Sequence, residues 1–206
     1  MRLPSWLPWL ASVILLIWYM QASAAAPRTV VIGSDVAEIL AALDALEGVV
    51  GRDDTSQYPE RVAALPSVGY LRQLAAEGIL SLAPQRLIVA AAAGPREVLA
   101  QLEAVGVDVV RIEQGASLAA LPDKVLAVAR AIGHDAAGES LVSEIEADLA
   151  RLAALREAAP EPPPSAMFLL SHSGMTPMAA GRDTAGQAVI EAAGGRNAFT
   201  GFNGYK

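Results

Sequence analysis

The 206-residue sequence has no cysteine and only two histidines, His134 and His172. The missing cysteines exclude a disulfide framework, a redox dithiol and a lipid-bearing cysteine behind a leader. With so few histidines, a protein-held zinc site lacks its usual three or four ligands, and a metal-ion carrier is poorly supported. Positive charge is scarce as well. Fifteen Lys and Arg against 22 Asp and Glu give a net charge of −7, which argues against a nucleic-acid partner. No G-x-S-x-G, H-E-x-x-H, P-loop or C-x-x-C occurs, and "GSDVAE" after the first apolar run lacks the later glycines of a dinucleotide loop. These absences leave a catalytic site poorly supported.

What is abundant is apolar. Hydrophobic residues make up 53% of the chain and charged ones 18%, enough for a substantial core and too little polarity for disorder. The N-terminus places Arg2 before the apolar run "WLASVILLIWYM", and "QASAAAP" offers small residues at −3 and −1 of a cleavage site after Ala24. Residues 1–24 read as a cleavable signal peptide, with a membrane anchor as the alternative reading. Export without a lipid-bearing cysteine implies a periplasm, where an outer membrane retains the protein.

Beyond the leader, short β-branched runs alternate with amphipathic stretches. Strands are predicted at 28–33, from Val49, at 86–92 and at 107–113. Helices are predicted from Ser34 to a stop at Gly48, over "RQLAAEGILSLAP", over "GPREVLAQLEAVG" and over "SLAALPDKVLAVARAIG". Such alternation implies βαβ units and a parallel sheet, an α/β fold. From 136 to 159 the chain is built from strong helix formers, giving a rigid helix roughly 30 Å long at about 1.5 Å per residue. "PEPPP" stops it, and "SAMFLLSH" opens a new strand followed by the helix "TAGQAVIEAAGG". The stretch 165–206 is too small to bury a core alone, so the expectation is a second lobe that is incomplete, in a C-terminally truncated chain.

Chemistry gathers in "LPSVGYLRQLAAEGILSLAP" (65–84), where Tyr70 follows Gly69 in a loop. In an extended segment Arg72 lies on the same side as Tyr70, and its guanidinium would favour a phenolate. Phenolate oxygen suits ferric iron, and tyrosine is an axial ligand of haem in some proteins. By residue type alone, Tyr70 also reads as a core aromatic beside a solvated arginine.

This stretch, together with "VVGRDDTSQYPE" and "LLSHSGMTPMAAGRDTAGQAVIEAAGGRNAFTGFNGYK", resembles the haem-binding periplasmic substrate-binding proteins of ABC-type haem importers. The similarity runs from Arg28 to Lys206. It implies a two-lobed periplasmic binding protein with parallel-sheet lobes joined by one long rigid helix. The N-terminal lobe would be 27–135, the linking helix 136–159 and the start of the second lobe 165–206. By the same resemblance Tyr70 is the axial iron ligand and Arg72 stabilises its phenolate. His172, in "SHSGM", is a second iron contact, holds a second stacked haem or is a locally bonded strand-end residue, and Arg182 pairs with a haem propionate. Glu77 resembles the carboxylate that docks on permease arginines. Its second-lobe counterpart would lie beyond Lys206, and "PQRLIV" departs from the family's usual aspartate after the proline. His134 reads as structural. Haem is then transported ligand, not catalytic cofactor, and the partners are haem, an inner-membrane ABC permease and, indirectly, an outer-membrane haem receptor. A carrier of another iron chelate or a corrinoid is the alternative, and an exported α/β enzyme a more distant one.

Overall fold

The computed structural model describes residues 26–113, 117–158, 161–171 and 176–206. The proposed leader and His172 lie outside the described residues. Four parallel strands, β1 (Thr29–Ile32), β2 (Val49–Arg52), β3 (Arg86–Ala90) and β4 (Asp108–Ile112), form one sheet in the order β2-β1-β3-β4. The apolar runs that predicted strands supply them. Central β1 is buried along its whole length, as expected when helices cover both faces of a parallel sheet.

Alternate residues of the strands face two cores. On one face Val31, Ile88, Ala90 and Ile112 meet helices α1 (Ser34–Ala42), α2 (Glu60–Ala63) and α5 (Leu121–Ile132). On the other, Val30, Ile32, Leu87 and Val89 meet α3 (Ala76–Leu80) and α4 (Arg96–Ala104). Because β1 leads to β2 on one side and β3 lies on the other, the strand order reverses at the carboxyl ends of β1 and β3. A crevice there is the usual ligand position in such sheets.

Two predicted helices are shorter in the structure. The first stops at Ala42 rather than running to Gly48, because Asp44 turns left-handed at φ +50°. Leu43 is nonetheless buried, with Leu46 packed against the same core, so the periodicity marked the buried face correctly but not the helix end. The run from Arg72 is helical only over α3. Residues 70–73 form a turn, and the Leu74 N–H donates to the Gly94 carbonyl at 3.0 Å instead of to a helical partner.

Gly33 closes β1 at φ +114°, and a Cβ there would lie 2.6 Å from that of Ala90. Gly33→Ala should therefore cost about 1–3 kcal/mol, from strained backbone and overpacking together. Urea unfolding of the two proteins measures it; equal midpoints and slopes would contradict this account.

Helix α6 (Asp135–Glu157) leaves the sheet lobe and leads to the second lobe. Its first half packs Leu141, Val142 and Ile145 against the first core. In the second lobe, β5 (Ser165–Ala166) pairs in parallel with β8 (Arg196–Asn197), and β6 (Leu169–Leu170) pairs antiparallel with β7 (Met178–Ala179). The single strand predicted from Ser165 is thus two short pieces with different partners. Helix α7 (Ala185–Ala192) starts at Thr184, whose hydroxyl accepts from the Gln187 N–H at 3.1 Å. Gly186 lets this helix approach the sheet closely, since a Cβ would meet that of Ala180 at 2.6 Å.

Candidate functional site

The loop that follows β2 is built around a buried carboxylate. Asp53 is fully buried, and its oxygens accept from the Gly33 N–H at 2.8 Å, the Thr55 N–H at 2.9 Å, the Thr55 hydroxyl and the Ser56 hydroxyl at 2.6 Å. Burial alone raises its pKa, but these four bonds, led by the Ser56 and Thr55 hydroxyls, outweigh burial and hold it below the ordinary carboxylate value. The carboxyl ends of β1 and β2 are knotted together through one side chain.

Tyr70 sits on a second loop at the same end of the sheet. The Asp54 N–H donates to the Gly69 carbonyl at 2.9 Å, which ties the loop to the end of β2. The Gly94 N–H donates to Leu71 at 2.9 Å, and Leu74 donates back to Gly94, which ties it to the chain following β3. Val68 and Leu74 plug the loop into the second core. These anchors flank β1, so the loop spans its carboxyl end, at the point where strand order reverses. Gly69 has φ +101°, a conformation that suits glycine, and directs the chain into the turn.

Tyr70 itself is 42% exposed, so it is no core aromatic. Arg72 is exposed as well. The expected extended geometry of this pair is corrected by the structure: the Gln73 N–H donates to the Tyr70 carbonyl at 2.8 Å, making Leu71 and Arg72 the centre of a β-turn. Alternation does not place the two side chains together there. Among the described residues, neither the Tyr70 hydroxyl nor the Arg72 guanidinium makes a hydrogen bond or ion pair, leaving both polar ends available to a ligand.

Arg182 is better held than a solvated loop arginine. Its Nε donates to Asn203 Oδ1 at 2.9 Å, and Asn203 in turn donates to Asp183 at 2.9 Å. Backbone bonds from Arg182 to Phe202 and from Gly204 to Arg182 fix the segment. Glu77 is exposed in the first turn of α3. His134, which is exposed, precedes α6, where its backbone N–H donates to Ala129 at 2.9 Å.

The sequence did not single out one large cleft. About 710 Å³ opens beside α1, α5 and α6, lined by Tyr58, Leu118, Leu121, Leu141 and Ile145 and reaching Ala185 of the second lobe. Tyr58 is 68% exposed at its rim. On its wall Lys124, 7% exposed, donates to Asp35 at 2.7 Å. Tyr70 is not among its lining residues. A lone lysine in an amphipathic helix gives no sequence signal of this kind, since its partner lies 89 residues away.

A family model for periplasmic binding proteins matches residues 30–205. Among solved structures, the periplasmic heme-binding protein BhuT in complex with two hemes is 36% identical, with a TM-score of 0.80 over 87% of this chain and 70% of its own. RhuT from Roseiflexus sp. RS-1, a periplasmic heme-binding protein in apo form, is 39% identical at a TM-score of 0.80, over 88% of this chain and 70% of its own. A periplasmic heme-binding protein from Pseudomonas aeruginosa is 37% identical at 0.81, over 87% and 65%. No curated protein matches. The agreement of fold and sequence from β1 through Tyr205 makes the chain a member of the periplasmic binding protein family.

Proposed function

We propose that this protein binds haem in the periplasm and delivers it to an inner-membrane ABC importer. The observation that carries the reading is the placement of Tyr70: an exposed phenol on a loop pinned to β2 and β3 at the strand-order reversal. The likeness to heme-binding structures supports the choice of ligand. The protein acts as a binding module. Ferric iron would be held by the Tyr70 oxygen, with the porphyrin faces against apolar cleft walls.

The remaining roles belong to the same reading. Arg72 would stabilise the bound phenolate, Arg182 would meet a propionate, and His172 would supply a second iron contact. Residues 1–24 would direct export and be removed. Glu77, exposed and without an ion-pair partner among the described residues, would meet a basic surface of the permease.

Titration with hemin tests the reading. Binding should give a saturable Soret band and a high-spin ferric spectrum. An unchanged hemin spectrum, or displacement by a corrinoid or ferric siderophore at equal concentration, would overturn it.

A further inference from the structure

We infer that Arg96 is a second anion-binding cation of the Tyr70 site and selects tetrapyrroles with free carboxylates. This rests on the haem reading above and names a contact which that reading does not contain. Arg96 is the first residue of α4, two positions after Gly94. Gly94 is the residue that exchanges backbone hydrogen bonds with Leu71 and Leu74, so the Tyr70 turn and the start of α4 are stapled side by side. The backbone that leads into Arg96 is therefore held beside the turn that carries Tyr70 and Arg72.

The surroundings leave Arg96 available. It lines a recess of about 280 Å³ at the carboxyl ends of β3 and β4, with Ala91, Ala93, Ala100, Arg111 and Glu113. Arg111 is already engaged, 2.6 Å from Glu103. Among the described residues Arg96 has no ion-pair partner, although Glu97 follows it and Glu113 shares the recess. Ala91, Ala93 and Ala100 add little bulk to this recess. A planar fork of donors recognises a carboxylate through paired hydrogen bonds, which suits a propionate at the rim of a porphyrin. In a chain with net charge −7, a local cation of this kind helps to offset the field that repels a dianionic ligand.

The test compares iron protoporphyrin IX with its dimethyl ester, which keeps the iron and ring but has no carboxylates. The wild-type protein should prefer the diacid. Arg96→Ala should weaken diacid binding about three- to tenfold at low salt, with a smaller loss at high salt, and leave the diester unchanged. The Soret position and high-spin spectrum should not move, because the iron ligand is untouched. Since Arg96 is exposed, the thermal midpoint of the apoprotein should also stay the same. Equal weakening of both ligands, or no weakening of either, overturns the assignment of Arg96 while the haem spectrum stands. A wild-type protein that does not discriminate between the two also overturns it. Failure of the wild type to bind haem at all overturns the haem reading and this inference with it.

Discussion

Tyr70→Phe is expected to lower hemin affinity by at least about 10- to 100-fold, the loss that disturbing only the groups around a metal ligand already causes. It should also remove the spectral signature of ferric iron on a phenolate. The substitution deletes one oxygen and keeps the ring, so packing is preserved. The loop does not depend on that oxygen: its anchors are backbone bonds from Asp54, Gly94 and Leu74, and the buried side chains of Val68 and Leu74. Thermal stability of the apoprotein should therefore be unaltered, and loss of affinity reports ligation rather than unfolding. Residual weak binding, from porphyrin against the cleft walls, should show no phenolate charge-transfer band. Undiminished affinity with an unchanged spectrum would remove Tyr70 from the iron.

The largest effect on stability is expected at Asp53. Its carboxylate accepts four hydrogen bonds in a fully buried position, and Asp53→Ala leaves the Gly33 and Thr55 N–H groups and two hydroxyls unpaired. The expected loss is about 3 kcal/mol, the range for removing a buried charged acceptor. Hemin affinity should fall too, because the crossover that carries Tyr70 starts from this knot. The pH dependence has a definite sign. The hydrogen bonds from Ser56, Thr55 and Gly33 overcome the rise due to burial and place the folded-state pKa below the ordinary carboxylate value. The contribution is thus complete above the unfolded-state value of about 4 and is lost as pH falls through the lower folded-state value. In urea unfolding from pH 7 to pH 3, the gap between wild type and Asp53→Asn should be constant at first and narrow only below about pH 4. A gap that widens toward acid would mean that the carboxylate is not stabilised as described.

Much of the sheet lobe was legible because its strands are short β-branched runs closed by glycine or turn residues. "TVVI" and "RLIVA" could be little else once helices lay between them. Helix ends were less legible. Leu43 and Leu46 continue the apolar period of α1 and are drawn into the core, but a left-handed Asp44 takes them there outside the helix. The second lobe was the least legible. Ser165 and Ala166 pair with Arg196 and Asn197, a partner some thirty residues on, whereas Leu169 and Leu170 turn to Met178 and Ala179. Nothing local in "SAMFLL" marks that change of partner.

The site divides in the same way. Gly69 and Tyr70 stood out as a loop tyrosine where aromatic residues are few, and the loop is where the sequence placed it. The face shared by Tyr70 and Arg72 was misjudged, because a β-turn replaces the extended segment on which alternation depends. Asp53, Lys124 and Arg96 carried no visible signal. The first two matter through partners in separate elements, and Arg96 through two backbone bonds made by Gly94. Sequence spacing contains neither.

The linking helix α6, 23 residues long, has a consequence for traffic at the proposed importer. On the proposed function, a stiff strut would give the empty and the loaded protein much the same outline. The two forms would then compete for one docking surface as near equals, and shape alone would not tell the importer which has arrived. Uptake would follow the fraction of carriers that are loaded rather than the number present, and overproduction of empty carrier would slow transport.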